Sequence, residues 1–342
     1  MNLCRTALLL SLLGSTTACG GGASSSATLQ SPDGKYRVIH VVDARWQQDG
    51  AATEMAAALD RHTEVALVFA HNDDMAFRAS LACKQKQRTG IRIVGIGGSA
   101  DAQKRVADGS IDATVLHPTC ADTVIDMALL ACSGIAPPRR LVLGTRLYTK
   151  ATLAAGGTIV PAPGDIVVAM LRGQHASVLT TTPSIDVVFR IGMALRTDGE
   201  ARRTRIGDEL QAAAKRYPQI QFDCHAAEGP EQEQKLVRDF IAQNYNAIVM
   251  APTDPTTLAP LCKEAIAKEI KVVVLDRELA GVDCSCFVAC DEKSIGRAVA
   301  TAIKELLPSG GAIVELQGTM TASAAQERHQ FFVEALGLRK HP

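Results

Sequence analysis

The chain has 342 residues, 47% of them apolar, and its 36 basic residues equal its 36 acidic residues in number. This length exceeds one typical hydrophobic core, so we expect two domains of ordinary size. A formal charge of zero provides no basic field for nucleic acid, and an aromatic content of 4% excludes wide aromatic stacking surfaces.

The first residues have the pattern of an export signal. Arg5 precedes an apolar run over 7–13 that is too short for a membrane span, and small residues precede Cys19. This pattern resembles a bacterial lipoprotein signal, with Thr16 where leucine is commonest, so ordinary secretory cleavage nearby is the alternative. A flexible glycine- and serine-rich run follows. We therefore expect residues 1–35 to be a signal and tether, and Cys19 to carry lipid.

Ten cysteines are many for a chain of this size. Export would place them in an oxidising compartment, which tends to pair cysteines. Cys284, Cys286 and Cys290 suggest a metal site, but this run reads as a strand and lacks the paired Cys-x-x-Cys knuckles of zinc sites. We therefore predict no metal site, and instead buried thiols or one or two disulfides whose partners the sequence leaves open.

From residue 36 onward, strand patterns alternate with helical patterns. Strands spaced by helices of this length are typical of right-handed βαβ units and a parallel sheet. The glycine-, proline- and threonine-rich region 152–183 interrupts the alternation and is predicted to be a linker with one short helix. The strands predicted before it are 37–42, 65–70, 91–96, 113–116 and 140–148, with helices at 51–61, 74–87, 100–107 and 120–132. Those predicted after it are 188–195, 219–224, 247–251, a strand that begins at Lys271, 286–289 and 312–317, with helices at 200–215, 231–243, 256–268, 293–306 and 322–336.

The run 271–278 is apolar and β-branched and ends in an acid and a base. It reads as a buried parallel strand with polar groups at its carboxyl end, where open α/β sheets hold their ligands. Ionised Asp276 accepts hydrogen bonds and Arg277 only donates them, so the pair offers both kinds of partner to a vicinal diol. An ion pair at a strand end is the alternative.

Several short motifs carry a family resemblance. After residue 186 these are Ala-Pro-Thr-Asp at 251–254, Val-Leu-Asp-Arg at 274–277, Ala-Cys-Asp-Glu at 289–292, Glu-Leu-Gln-Gly at 315–318 and Ser-Ala-Ala-Gln-Glu-Arg at 323–328. With them, this part of the chain resembles the first half of ribose- and galactose-type periplasmic binding proteins, the solute receptors of sugar ABC transporters. Residues 36–150 resemble the second half, with the motifs Val-Phe-Ala-His-Asn-Asp-Asp-Met-Ala at 68–76, Ile-Val-Gly at 93–95 and Ala-Asp-Gly-Ser-Ile-Asp-Ala-Thr-Val at 107–115.

The two halves stand in reverse order, which we interpret as a circular permutation; a fusion of two half-genes is the alternative. The resemblance implies an α/β fold with two doubly wound parallel-sheet lobes joined by a hinge of three crossovers. One lobe is expected to contain 36–117, 144–150 and 292–338. The other is expected to contain 118–142 and 187–290, with 151–186 as the linker that joins the natural termini of the family.

The resemblance also implies a sugar site between the lobes. Trp46 stands where the family has an aromatic side chain that stacks on a sugar ring. Asn72 is expected to bind hydroxyls, with a cap on the following helix as the alternative. His117 replaces what is usually an amide, and a satisfied hinge histidine is its alternative. The remaining sugar contacts that the resemblance implies are Asp276, Arg277 and Arg328.

The chain departs from the family pattern at two places. Gly97 stands where a ligand-binding aspartate is common, and the segment after residue 195 lacks two stacking aromatics. Arg196 is expected to face the ligand with Glu200 as a counter-charge, whereas Arg202 and Arg203 are expected to be exposed. The lost acid and the gained Arg196 favour a monosaccharide-sized ligand with a carboxylate or phosphate, and a neutral pentose or hexose is the alternative.

An enzyme is the competing class, because Gly-x-Gly-x-x-Ala at 95–100 follows a strand and opens a helix. No strand ending in an acid follows about 20 residues later, and no catalytic or metal-ligand grouping accompanies the motif. We therefore predict a non-enzymatic, exported, monomeric sugar receptor without a cofactor, outside the cytoplasm, in the periplasm or on the outer face of the membrane. Its predicted partner is the permease of an ABC importer, and a membrane sensor kinase or chemoreceptor is the alternative.

Overall fold

The computed structural model describes residues 24–25, 29–162, 164–165, 167–172, 187–197, 201–252, 254–320 and 323–340. The predicted signal with Cys19, most of the second half of the predicted linker, and Glu200 lie outside the described residues. Within the described ranges, no helix has both the length and the apolar character needed to cross a membrane.

The secondary structure alternates as the sequence predicts. Up to residue 160 the elements are β1 (Ser24–Ser25), β2 (Leu29–Gln30), β3 (Tyr36–Asp43), α1 (Gln48–Arg61), β4 (Val65–Ala70), α2 (Asp73–Gln85), β5 (Arg92–Gly97), α3 (Ala100–Asp108), β6 (Ala113–Leu116), α4 (Ala121–Cys132), β7 (Arg140–Leu143), β8 (Thr145–Thr149), a 3-10 turn (Leu153–Ala155) and β9 (Thr158–Val160). Residues 167–172 are helical. The later elements are β10 (Phe189–Arg196), α5 (Ala201–Ala214), β11 (Ile220–Ala227), α6 (Pro230–Ala242), β12 (Ala247–Met250), α7 (Pro255–Ala267), β13 (Lys271–Leu275), β14 (Cys286–Cys290), α8 (Glu292–Leu306), β15 (Gly311–Gln317), α9 (Ser323–Leu336) and β16 (Arg339–Lys340).

The strands form two sheets. Sheet II has the order β11-β10-β12-β13-β14-β7 with parallel pairing throughout. Sheet I has the order β16-β2-β3-β15-β4-β5-β6-β8-β9, and its strands from β3 to β6 pair in parallel. Within sheet I, Val314 of β15 lies opposite His40 of β3 on one side and Val68 of β4 on the other.

Both sheets have the doubly wound strand order 2-1-3-4-5. Sheet II shows it directly when β10 is counted as its first strand. Sheet I shows it only when β15 is counted first, so that β3, β4, β5 and β6 follow as its second to fifth strands. The first strand of this sheet therefore comes after its other strands in the sequence, which is the topology of a circularly permuted chain. The predicted fold class is confirmed.

Apolar side chains cover both faces of each sheet, as doubly wound sheets require. Met55 of α1 packs with Val68 on one face of sheet I, and Phe240 of α6 packs with Ile248 on one face of sheet II. Helices α4, α5, α8 and α9 contribute to a larger cluster on the other faces, with Met127 of α4 fully buried in it. Parallel strands in this position read as continuous apolar runs, which is why the sequence predicted them well.

Within the described residues, three short segments pass between the sheets. They are 117–120 between β6 and α4, Gly144 between β7 and β8, and Asp291 between β14 and α8. Helix α4 packs on β12 and β13 of sheet II, and α8 packs on β5 and β6 of sheet I. We call these three segments the crossings.

One prediction about the middle of the chain is wrong, and another is incomplete. The single strand predicted over 140–148 is two strands of different sheets, β7 and β8, that separate at Gly144. The predicted linker does contain a short helical segment at 167–172, which places Val168 in the core, but it also contains the strand β9, which pairs with β8 and was not predicted. Gly144 permits this arrangement, because a Cβ there would overlap the carbonyl oxygen of Val160.

Candidate functional site

The carboxyl ends of the strands of both sheets meet around His117, which follows β6 in the first crossing. Sheet II contributes Asp276, which directly follows β13, and Arg202 from the first turn of α5. Glu292 of α8 and Arg328 of α9 approach from sheet I. These five residues form what we call the central cluster. It lies at the edge where doubly wound sheets hold ligands.

Arg328 is the most firmly held member of the central cluster, with 3% of its side chain exposed. Its Nε donates to Glu292 Oε2 at 2.6 Å and its Nη2 donates to Oε1 at 3.0 Å, which is a bidentate, charge-assisted pair. Its Nη1 donates to the carbonyl oxygen of His71 at 2.9 Å. Burial alone would raise the pKa of Glu292, but the charge and hydrogen bonds of Arg328 together with the contact to His117 outweigh it and lower that pKa well below its ordinary value.

His117 is buried and lies between two guanidinium groups. Its Nδ1 is 3.0 Å from Nη2 of Arg328, and its Nε2 is 3.1 Å from Oε1 of Glu292. One neutral tautomer satisfies both contacts, because Nε2–H donates to Glu292 while Nδ1 accepts from Arg328. Nη2 of Arg202 also lies 3.1 Å from Nε2, where it faces a donor in this tautomer.

Arg202 is held less firmly than Arg328. Its Nη2 donates to the carbonyl oxygen of Pro118 at 3.3 Å and to Asp276 Oδ1 at 3.4 Å. Its Nε is buried and has no hydrogen-bond partner among the described residues. Burial opposes the charged form of Asp276, but Arg202 and then His117 lower its pKa below the ordinary value.

The prediction that Arg202 and Arg203 are exposed is wrong. Arg203 is 5% exposed and donates to the carbonyl oxygen of Ala251 at 3.2 Å, and 16% of the Arg202 side chain is exposed. Both residues lie in the first turn of α5, which starts at the carboxyl end of β10. A side chain in that position faces the ligand edge of the sheet, and this was the available signal.

Trp46 and Asn72 lie beside the central cluster on the side of sheet I. The Trp46 ring centroid is 5.4 Å from Cζ of Arg328, a cation–π distance. Asn72 caps α2, since its Oδ1 accepts from the backbone nitrogen of Met75 at 2.7 Å, and its Nδ2 donates to the carbonyl oxygen of Trp46 at 3.4 Å. The structure thus contains the cap that was the alternative for Asn72, and both residues stay predictions as sugar contacts.

Gly97 does not carry the acid of the site, but Asp73 lies in the space of the missing side chain. Asp73 Oδ2 accepts from the Gly98 nitrogen at 2.8 Å and Oδ1 accepts from Thr114 Oγ1 at 2.6 Å. A Cβ at Gly97 would overlap Asp73 Oδ2, and its φ of 151° is unfavourable for other residues. Burial raises the pKa of Asp73 to about 6. Sequence reasoning missed this acid.

The two other predicted arginines lie at strand ends of sheet II. Arg196 is the last residue of β10, opposite Ala227 of β11. Hydrogen bonds from Thr256, and to a smaller extent the charge of Arg196, lower the pKa of Asp254. Arg277 follows Asp276 and is half-buried. Both residues stay predictions as ligand contacts.

A buried polar layer lies beneath Trp46. Glu315 of β15 is fully buried and lies 2.9 Å from His71 Nε2 and 2.9 Å from His329 Nδ1. Burial opposes its charge, but the hydrogen bonds from His329 and His71 lower the pKa of Glu315 to about 2. The rings of Trp46 and His71 are 6.1 Å apart. The residues of this layer are far apart in the sequence. Glu315 and His71 lie in motifs that carry the family resemblance, but the motifs did not indicate that these side chains contact each other.

The cysteines of the predicted Cys-x-Cys-x-x-x-Cys run are free thiols, with Cys286 and Cys290 buried. Across the residues that the structure describes, there is no group of three or more histidine, cysteine, aspartate or glutamate side chains arranged to hold a metal ion.

Two doubly wound sheets whose ligand edges meet at one polar cluster define the type I architecture of periplasmic binding proteins. A family described as "Periplasmic binding protein domain" matches residues 23–134 and 191–342, more than half of the sequence. The chain belongs to this family, and the predicted resemblance is confirmed.

Relatives match over shorter segments. The galactofuranose-binding protein YtfQ of Escherichia coli (strain K12) is 38% identical over 110 residues, which are 31% of this chain and 35% of that protein. The ribose import binding protein RbsB of Bacillus subtilis (strain 168) is 26% identical over 144 residues, 42% of this chain and 47% of that protein. The chain therefore spans less than half the length of these relatives in each match.

Among solved structures, the periplasmic binding protein component of the arabinose ABC transporter from Shewanella sp. ANA-3 is 30% identical, with a TM-score of 0.39. That match covers 43% of this chain and 50% of the other.

Proposed function

We propose that this protein is an extracytoplasmic solute receptor that binds a monosaccharide-sized, acidic sugar between its two sheets and delivers it to an ABC importer. Family membership supports a binding role without covalent change to the ligand. The names of relatives support a sugar, because they are a galactofuranose-binding protein, a D-apiose import binding protein and ribose import binding proteins.

The observation that supports an acidic ligand is that two guanidinium groups, one from each sheet, approach the same imidazole ring. Nη2 of Arg202 and Nη2 of Arg328 lie 3.1 and 3.0 Å from the two ring nitrogens of His117. Arg202 has an unsatisfied Nε and only long contacts to oxygen. A carboxylate or phosphate could accept two parallel hydrogen bonds from this fork, and such bonds are stronger where water is excluded.

The rest of the site suits a hydroxyl-rich ring. Asp276 and Glu292 are ionised acceptors for hydroxyls on the two sides of the cluster. Trp46 offers an apolar face for the ring, and the second proton of the Asn72 amide is a further donor. Arg196, which stays a prediction as a ligand contact, would add to this positive charge.

Binding is proposed to proceed by closure of the two lobes about the crossings. The lobe boundaries we propose are 36–117, 144–150 and 292–338 for one lobe and 118–142 and 187–290 for the other. Contacts from both sheets to one ligand favour the closed state, and selection of that state is sufficient to signal a membrane partner. Small-angle scattering should show compaction on ligand addition, and an unchanged radius at saturation would contradict closure.

Export and partner complete the proposal. Lipid on Cys19 would hold the receptor at the outer face of the membrane, next to a permease. Mass spectrometry of the protein from its native membrane tests this lipid, and a mature chain without it supports secretory cleavage instead. Transport in vesicles that contain the neighbouring permease separates an importer from a membrane sensor.

Trp46 makes the ligand question measurable, because it is the only tryptophan of the chain. Its fluorescence should be titrated with glucuronate, galacturonate and ribose 5-phosphate, and with glucose, galactose and ribose. We expect tighter binding of an acidic sugar, which weakens with added salt. Arg202→Met should lower that affinity by about ten- to a hundredfold, the effect of one charged hydrogen-bonding group.

The matched control is Arg216→Met, two residues beyond the end of the same helix, on an exposed surface where it pairs with Asp122. It should leave the affinity unchanged. Tighter binding of a neutral sugar, or an unchanged affinity in Arg202→Met, would contradict the acidic ligand and leave a neutral sugar receptor. Failure of all six sugars to bind would contradict the sugar class among these probes.

A further inference from the structure

Two thiols meet where the first and third crossings lie side by side. Cys120 ends the first crossing, just before α4, and Cys290 is the last residue of β14, just before the third crossing. Their Sγ atoms are 3.7 Å apart, although the residues are 170 positions apart in the sequence. Both are free thiols, with 5% and 9% of the residue exposed. The contact therefore joins two of the segments about which the lobes would move.

The backbone at this point is unusual. Cys120 has a φ of 59°, in the left-handed region that residues other than glycine rarely adopt. Such a conformation persists only where surrounding contacts hold it. It places the Cys120 thiol toward Cys290 at the start of α4, where it makes no side-chain cap for the helix.

We propose that Cys120 and Cys290 are a redox-active pair that forms a disulfide on the sheet II side of the hinge. Both cysteines belong to the same lobe, so the bond would not join the two lobes; it would fix the first crossing to the start of the third and thereby restrain local opening of these segments. The sulfurs must approach from 3.7 Å to about 2 Å, which small side-chain rotations can supply. The inference does not depend on which ligand the protein binds.

The oxidant is a disulfide, either a small molecule such as oxidised glutathione or a thiol–disulfide oxidoreductase. The thiolate of one cysteine attacks a sulfur of that disulfide, forms a mixed disulfide and releases one thiol. The second cysteine then attacks the mixed disulfide and releases the other thiol. One sulfur–sulfur bond forms in the protein, one is broken in the oxidant, and the two cysteine protons end on the two released thiols.

The cysteine pair and the central cluster also share one hydrogen-bond acceptor, the carbonyl oxygen of Pro118. The thiol of Cys290 donates to the Pro118 oxygen at 3.0 Å, and Arg202 Nη2 donates to the same oxygen at 3.3 Å. Oxidation removes the thiol proton, so the Pro118 oxygen keeps Arg202 as its donor. Contact with Cys120 and burial raise the pKa of the Cys290 thiol well above its ordinary value, which lowers the fraction of reactive thiolate and slows oxidation in this arrangement.

The test uses the full chain, first reduced and then equilibrated in mixtures of reduced and oxidised glutathione. Remaining thiols are alkylated and the digest is analysed by mass spectrometry. We expect a peptide pair linked through Cys120 and Cys290 that disappears on reduction. Amide exchange at 117–120 and 290–292 should slow by about tenfold in the oxidised protein, a measure of restrained local opening.

Cys120→Ser and Cys290→Ser should each abolish the linked peptide and the slowed exchange, while Cys224→Ser, on the strand β11, should keep both. If a serine variant does not fold, the linked peptide and the amide exchange of the unmodified chain test the proposal. Alkylation of both thiols after full oxidation, or their linkage to other cysteines, would overturn the proposal. A correct linkage without slower exchange would overturn its effect on the hinge.

Discussion

The two sheets have the same strand order but are assembled from the chain differently. The first five strands of sheet II, β10 to β14, follow one another in the sequence, whereas sheet I takes its first strand, β15, from beyond residue 310. The doubly wound order is therefore set by how strands pack, and the order in which the chain supplies them is free to change. This arrangement is expected to slow folding, because β15 must pair with strands that are distant in the sequence and such contacts form slowly.

The two sheets also hold their arginines differently. Arg328, on the side of sheet I, has a bidentate carboxylate partner at 2.6 and 3.0 Å and rests above the buried Glu315 layer. Arg202, on the side of sheet II, has oxygen contacts of 3.3 and 3.4 Å. One half of the cleft is thus preorganised, and the other half can rearrange around a ligand. Variants that remove each arginine separate these roles.

The largest effect is expected for Arg328→Met, which removes the bidentate partner of Glu292 and leaves this buried acid only its contact to His117. Breaking a buried pair in this way costs about 3–5 kcal/mol of the free energy of unfolding. Urea unfolding followed by circular dichroism measures it. Arg297→Met, an exposed position on the neighbouring helix α8, is the control and should change stability by less than about 0.5 kcal/mol. If the two variants lose the same free energy of unfolding, Arg328 is held no more firmly than an exposed arginine, and the contrast with Arg202 fails.

Gly97→Ala should also destabilise the protein, because its Cβ would overlap Asp73 Oδ2 at an unfavourable φ of 151°. Overpacking and backbone strain together predict a loss of about 2–3 kcal/mol. Gly109→Ala has a φ of 79° and no atom within 4 Å of its Cβ, so it should lose only about 1 kcal/mol. In the double variant, Asp73→Ala should recover part of the stability that Gly97→Ala loses. If the two losses in the free energy of unfolding simply add, Asp73 does not fill the space next to Gly97.

The Glu315 layer predicts a pH dependence. The pKa of this acid is about 2 in the folded protein against 4.5 ordinarily, so its contribution is complete above about pH 5 and is lost as the pH falls toward 2. The difference in stability between the wild type and Glu315→Gln should therefore be about 1–3 kcal/mol at neutral pH and shrink on acidification. Glu334→Gln, which is exposed on α9, is the control; a difference that stays constant with pH would contradict the assignment.

The smallest stability effect is expected for Arg202→Met. Its contacts are long and its partner Asp276 is 23% exposed, so unfolding free energy should change by about 1 kcal/mol or less. The same variant should lose affinity for an acidic ligand, which makes it the complement of Arg328→Met. A loss as large as that of Arg328→Met would mean that both halves of the cleft are equally preorganised.

Sequence reasoning found the strand-end residues and missed their partners. Asp276 and His117 were predictable because each directly follows an apolar strand, where ligand sites form. Arg202 was misjudged because a charged residue in the first turn of a helix has the same local pattern in a cleft and in solvent. Glu292 pairs with Arg328 across 36 positions, and only tertiary packing joins them.

The fold was predicted with similar limits. Apolar runs predicted the parallel strands of both sheets, but this pattern joined β7 and β8 into one strand over 140–148. Only the family resemblance, which assigned 118–142 and 144–150 to different lobes, placed a boundary near Gly144. The two-residue strands β2 and β16 are too short to show a period of two. Their antiparallel pairing, with Lys340 opposite Leu29, brings the two end regions of the described chain together.

That pairing allows a direct test of the reversed order. A reordered chain would carry 187–340 first and 29–172 second, joined from Lys340 to Leu29 by an Asn-Gly turn, which suits a two-residue hairpin. The free energy of unfolding in urea is the measurement. We predict one cooperative transition in the reordered chain, with a stability within about 2 kcal/mol of the natural order, since the same strands pair in both sheets. A reordered chain that is unfolded under conditions where the natural order is folded would contradict the account.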